Sequence, residues 1–126
     1  MTILVVDASL TVRMKIRDLL EGMDPHNIHI ECFEDASEAL DYSKENEIAL
    51  IFSAIETEGL DGISFVDMIL RDNPKFVSKM FIVTSQKDTD NLQEIKGVGA
   101  KRFIRKPINE EHFKHFVIPE INKILR

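Results

Sequence analysis

Residues 3–23, "ILVVDASLTVRMKIRDLLEGM", hold two different periodicities joined at one carboxylate. Ile3-Leu4-Val5-Val6 is an unbroken apolar run of strand length, the pattern of a strand covered on both faces. After Ser9, residues Val12, Ile16, Leu19, Leu20 and Met23 recur at helical spacing and share one face. A strand leading straight into an amphipathic helix is one β-α unit, and the fold depends on whether the unit repeats.

It repeats along the whole chain. Ile28, Ile30 and Cys32 alternate with His29 and Glu31 as a half-exposed strand would. Asp35 with Glu38 three residues later has the spacing of a capping box opening a second helix through Ala39, Leu40 and Tyr42. Ile48 to Phe52 is a third strand, and Asp61-Gly62 opens a third helix with Ile63, Val66, Ile69 and Leu70 inward. Asn73-Pro74 ends that helix, because the residue before proline is pushed out of the α region. Phe81-Ile82-Val83 is the fourth strand. Leu92, Ile95 and Val98 mark a shorter helix closed by Gly97 or Gly99, and Phe103-Ile104 is a short fifth strand. Phe113, Phe116, Val117, Ile121 and Ile124 are expected to line the last helix, with a kink at Pro119. Five β-α units predict a doubly wound α/β domain: a five-stranded parallel sheet with helices on both faces and right-handed crossovers.

The 126 residues fit one domain, 1–126, and the composition is that of a globular protein, with 44% apolar and 30% charged residues. No stretch has the length of a membrane span, and no basic segment precedes the first strand, so a cytoplasmic chain without membrane insertion is expected. A net charge of -6 argues against direct nucleic-acid binding. The single cysteine, Cys32, reads as a quiet core thiol between Ile30 and Phe33.

In such sheets ligands bind outside the carboxyl ends of the strands, which here carry Asp7, Ala54, Thr84 and Lys106. A carboxylate, a hydroxyl and an ammonium suit a hard cation beside a phosphoryl group. The same residues also fit a plainer arrangement in which Asp7 caps the following helix and pairs with Lys106. "DASLTVR" has neither dinucleotide-binding glycines nor a P-loop lysine, which weighs against a flavodoxin-like cofactor binder.

The ordered pieces "ILVVDASLTVR", "LDG" after the third strand, "FIVTSQ", "GA" at Gly99-Ala100 and "FIRKP" around Lys106 resemble a response-regulator receiver domain of two-component signalling. In length the chain is similar to the single-domain chemotaxis type, and the resemblance covers essentially all of it. It implies the (βα)5 flavodoxin-like receiver fold. It also implies that the phosphoacceptor aspartate falls on Ala54 and that the two magnesium-holding acids fall on Asp7 and Ala8. The metal-binding backbone carbonyl would belong to Glu56, the phosphoryl-sensing hydroxyl to Thr84, the pairing lysine to Lys106 and the aromatic switch to Phe103. The implied partners are a histidine kinase or phosphotransfer protein and an output protein, reached through Phe103, Ile104 and the polar face of Asn91 to Lys96.

Alanine has no oxygen with which to attack phosphorus, so on this resemblance the chain keeps the readers of an acyl phosphate and lacks its acceptor. With Ala8 in place of an acid, Mg²⁺ binding is expected to be weak or absent here, whereas a working version would use it. Lys106 is then expected to pair with Asp7. Ser53 is a poor substitute nucleophile, because neighbouring strand residues point to opposite faces. Ser85 lies nearer the mouth without a visible activating group. Both departures are to alanine and both remove a carboxylate, which favours a disabled working receiver over a natural pseudo-receiver that never takes phosphate. No enzymatic activity is expected. His26, His29, His112 and His115 show no ligand pattern.

Overall fold

The computed structural model describes residues 1–23 and 27–125; His26 lies outside them. Five strands, β1 (Thr2–Val6), β2 (His29–Phe33), β3 (Leu50–Ala54), β4 (Met80–Thr84) and β5 (Phe103–Arg105), form one parallel sheet in the order β2-β1-β3-β4-β5. The helices α1 (Leu10–Met23), α2 (Ala36–Glu45), α3 (Gly62–Asp72), α4 (Leu92–Gly97) and α5 (Glu110–Leu125) alternate with them.

Alternation along each strand sorts the core into two layers. Ile3, Val5, Leu50, Phe52, Phe81 and Val83 pack with α1 and α5 through Ile16, Leu20, Phe113 and Val117. Leu4, Val6, Ile51, Met80 and Ile82 pack with α2, α3 and α4 through Ala39, Phe65, Val66, Ile69 and Ile95. Continuous apolar strands are thus used on both faces, as a doubly wound sheet requires. Phe52 links the sheet to α5, its ring stacked on Phe81 at 5.2 Å and on Phe113 at 5.4 Å between centroids.

Several local expectations are corrected. The cap of α2 is Asp35 accepting from the backbone N–H of Ser37 at 2.7 Å, and among the described residues Glu38 makes no reciprocal bond to the Asp35 N–H, so the capping box is not formed. Phe116 faces outward and is 51% exposed, since the inner arc of α5 is already filled by Phe113, Val117, Glu120 and Ile121. Cys32 is half-buried rather than fully enclosed, and burial pushes its thiol pKa up. Of the two glycines expected to close α4 it is Gly99 that does so, with a φ of 116° where side chains are rarely tolerated. A 3₁₀ segment, Gln86–Asn91, precedes α4, so the helical stretch after β4 has two halves of different pitch. The last helix runs from Glu110 to Leu125 through Pro119. Among the described residues no helix is long and apolar enough to cross a membrane.

Candidate functional site

The parallel register places the sequence-selected residues along one edge of the sheet. Val6 pairs with Ser53, Ala54 with Val83, and Thr84 with Arg105, so Asp7, Ala54, Thr84 and Lys106 follow one another across the strand ends. Backbone bonds continue the ladder into the loops: the Asp7 N–H donates to the Phe33 carbonyl at 3.0 Å, and the Lys106 N–H to that of Thr84 at 2.7 Å. Lys106 is carried to Asp7 by this extension of β5.

The two charges meet there. Asp7 is 3% exposed; its Oδ1 accepts from the Ser9 N–H at 2.9 Å, and its Oδ2 lies 2.9 Å from Lys106 Nζ. That second contact is an ion pair at short range without hydrogen-bond geometry, because Oδ2 has no directed donor among the described residues. Close charge attraction does not need the angle that a hydrogen bond needs, and Lys106 is the group that balances this buried carboxylate. Ser9 continues the turn: its carbonyl accepts from the Arg13 N–H at 3.1 Å and its hydroxyl from the Val12 N–H at 3.3 Å. Asp7 therefore both organises the entry to α1 and pairs with Lys106, the plainer of its two sequence readings.

Ala54 ends β3 and is 2% exposed, a methyl group at the strand mouth. Ala8 is half-buried beside Asp7. Ser53 is fully buried with its hydroxyl donating to the Ala54 carbonyl at 3.0 Å, which removes it from the mouth. Thr84 is 6% exposed, and its hydroxyl makes no hydrogen bond among the described residues. Phe103 is half-buried, with Lys96 Nζ 5.5 Å above its ring centroid. His112 and His115 are exposed on α5.

Three residues of the site were not singled out from sequence. Arg13 Nη1 donates to the Asp7 carbonyl at 2.6 Å, placing a second cation at the end of β1. Lys87 pairs with Glu56 at 2.5 Å across the loops after β3 and β4; that hydrogen bond holds the Glu56 carboxyl below its usual range and raises the Lys87 ammonium. Asp88, 5% exposed, accepts from the N–H of Ser85 at 2.7 Å and from its hydroxyl at 3.1 Å. The Ser85–Asp88 spacing is a capping-box signature that the sequence displays. Nothing in the sequence pairs Glu56 with Lys87.

The floor of the loop after β3 is set by Gly62. A Cβ there would collide with the carbonyl oxygens of Ala54 and Ile55, so α3 starts closer to the end of β3 than any other residue permits. Gly59, at φ 70°, lies where a Cβ would strike Asp35, and Glu58 bonds both ways to the loop after β2, its N–H to the Glu34 carbonyl and its carbonyl from the Ala36 N–H, each at 3.0 Å.

These residues do not fit a tight magnesium site. A hexacoordinate hard cation needs several free oxygens, and of the carboxylates here Asp7 is already neutralised by Lys106, Glu56 is engaged by Lys87 and Asp88 is bonded to Ser85. Among the described residues no three His, Cys, Asp or Glu side chains converge on one point.

A family model described as the response regulator receiver domain matches residues 3–118. Over 106 residues the chain is 28% identical to the protein-glutamate methylesterase/protein-glutamine glutaminase 2 of Pseudomonas aeruginosa, covering 84% of this chain and 30% of that protein. Over 78 residues it is 33% identical to a cyclic di-GMP phosphodiesterase of Thermotoga maritima, covering 62% and 20%. The chain thus spans less than a third of the length of these curated relatives. Among solved structures, the response regulator receiver domain protein of Clostridium thermocellum superposes with a TM-score of 0.79 at 25% identity, covering 99% of this chain and 98% of that one. The chemotaxis response regulator CheY4 of Vibrio cholerae superposes at 0.78 with 23% identity, covering 94% and 97%.

Proposed function

The chain belongs to the response regulator receiver domain family, and from that premise we propose that it is a protein-interaction module of two-component signalling that does not itself accept phosphate. One observation carries the reading: a methyl group, Ala54, occupies the mouth of β3 beside an Asp7–Lys106 pair that has already satisfied its own charges. An acyl phosphate requires a carboxylate oxygen as nucleophile, and position 54 offers none. The neighbouring hydroxyls do not replace it, since Ser53 is buried against its own strand and the Ser85 hydroxyl is tied to Asp88.

In this reading Thr84, Lys106 and Phe103 retain the sensing and switch positions, and Asp7 with the Glu56 carbonyl would provide only a weak hold on Mg²⁺. The two alanines, at positions 8 and 54, stand where a working receiver carries acids, as in a domain disabled by replacement. A natural pseudo-receiver is the alternative. Its partners would be a kinase or phosphotransfer protein and an output protein in the cytoplasm, bound without catalysis by this domain.

Phosphate uptake from a small phosphodonor with Mg²⁺ tests the reading. The chain as it stands is expected to take up none, and an Ala8→Asp/Ala54→Asp version to become labelled. Labelling of the unaltered chain would refute the proposal. A restored version that stays inert would show that the pocket has drifted as a whole and would support the natural pseudo-receiver.

A further inference from the structure

A cavity of about 310 Å³ opens at the amino ends of β3 and β4, on the opposite edge of the sheet from Asp7 and Lys106. Its walls are the C-terminal ends of α2 and α3 and the 3₁₀ segment Pro74–Ser78. Hydrogen bonds tie this frame together. The Asn73 N–H donates to the Ile69 carbonyl at 2.9 Å, and its Oδ1 accepts from the Lys75 N–H at 3.2 Å. The Lys79 N–H donates to the Phe76 carbonyl and the Ile51 N–H to that of Lys79, each at 2.9 Å. On the facing wall Asn46 Nδ2 donates to the Tyr42 carbonyl at 3.0 Å. The cavity is thus formed in advance, as small-molecule sites usually are.

The lining has three chemical parts. Buried Ile48 and Ile69 and half-buried Phe76 give an apolar floor. Lys75 and Lys79 stand on one side, Glu47 and Asp72 on the other, where α2 and α3 end. None of the four has an ion-pair partner among the described residues, whereas at the other end of the sheet Asp7 is paired with Lys106 and Glu56 with Lys87. The C-termini of α2 and α3 bring the negative ends of their dipoles to the same side as the two acids. The volume is at the small end of ligand sites, too little for a nucleotide. A ligand of one sign would leave the opposite pair facing it, while a small molecule with an ammonium, a carboxylate and an apolar body matches all three parts.

We infer that this cavity binds a free α-amino acid with an apolar side chain, its carboxylate held by Lys75 and Lys79, its ammonium by Glu47 and Asp72, and its side chain laid on Ile48, Ile69 and Phe76. The site needs nothing from the pocket around Ala54, so it stands or falls apart from the proposed function. The experiment is titration of the full chain with millimolar L-leucine and L-phenylalanine, followed by amide chemical-shift mapping. Saturable shifts are expected at residues 46–48, 72–73 and 75–79, with the amides of Asp7 and Lys106 unmoved. N-acetyl-leucine, which lacks the ammonium, and leucinamide, which lacks the carboxylate, should each bind about tenfold more weakly than leucine. Lys75→Gln and Asp72→Asn, both at exposed positions where the fold should be kept, should each weaken leucine by a similar factor. Lys75→Gln should leave the binding of leucinamide unchanged, which separates a lost carboxylate contact from a damaged fold. No saturable shift with either amino acid, blocked derivatives that bind as well as leucine, or shifts centred on the Asp7–Lys106 end would overturn the inference.

Discussion

At the scale of single residues, the chemistry turns on what Lys106 does for Asp7. A carboxylate this enclosed is tolerable because an ammonium stands 2.9 Å from one of its oxygens and the Ser9 N–H donates a hydrogen bond to the other. Removing the cation alone leaves a buried charge without its counterpart, whereas removing both leaves two neutral groups of similar shape. Lys106→Met is therefore expected to cost about 3 kcal/mol in urea unfolding, at the lower end for a buried pair because Lys106 is partly exposed. Asp7→Asn/Lys106→Met should recover much of that loss. Equal loss in the single and double variants would show that the pair is not the source of the stability.

At the scale of elements, α3 shows how a short signal specifies a junction. Asp61 caps it, accepting from the Ser64 N–H at 2.9 Å and the Ser64 hydroxyl at 2.8 Å, and these bonds hold its carboxyl below the ordinary aspartate value. A depressed carboxyl contributes stability above its unfolded pKa and loses it as pH falls through the folded one. Asp61→Ala should thus cost about 1 kcal/mol at neutral pH. The gap between variant and parent should close as pH drops below about 3.9. Denaturation midpoints measured from pH 7 to 2.5 check this, and a gap that persisted in acid would assign the cost to something other than the ionised cap. The "LDG" at the head of α3 was legible because cap and glycine are both local requirements. So were the apolar runs of β1, β3 and β4, since burial on both faces leaves a strand few polar positions, while β2 was legible from its alternation. The 3₁₀ stretch Gln86–Asn91 was not legible: its residues are compatible with an α-helix, and the Ser85–Asp88 bonds with the Lys87–Glu56 pair accompany the tighter winding. The outward turn of Phe116 was hidden for a related reason, because helical spacing alone does not say where the apolar arc stops. Arg13 and Lys87 were missed because their partners, a backbone carbonyl and a residue on another loop, leave no mark on local sequence.

At the scale of the whole molecule, the strand order has a consequence for how the protein comes apart. β1 and β3 have a neighbour on each side and helices above and below, and β3 is buried along its entire length. β5 has three residues, one neighbouring strand, and two of its residues outside the fully buried core. Amide hydrogens of β1, β3 and β4 should therefore exchange with solvent only when the entire domain opens, sharing one free energy that equals the stability from denaturant. Those of β5 should exchange through a smaller opening of lower free energy. Native-state exchange in D₂O resolves the two classes, and a single value across all five strands would contradict it. The strand that brings Lys106 to Asp7 is then also the one most readily lent out, so the molecule can release its lysine for an instant while its central strands stay closed.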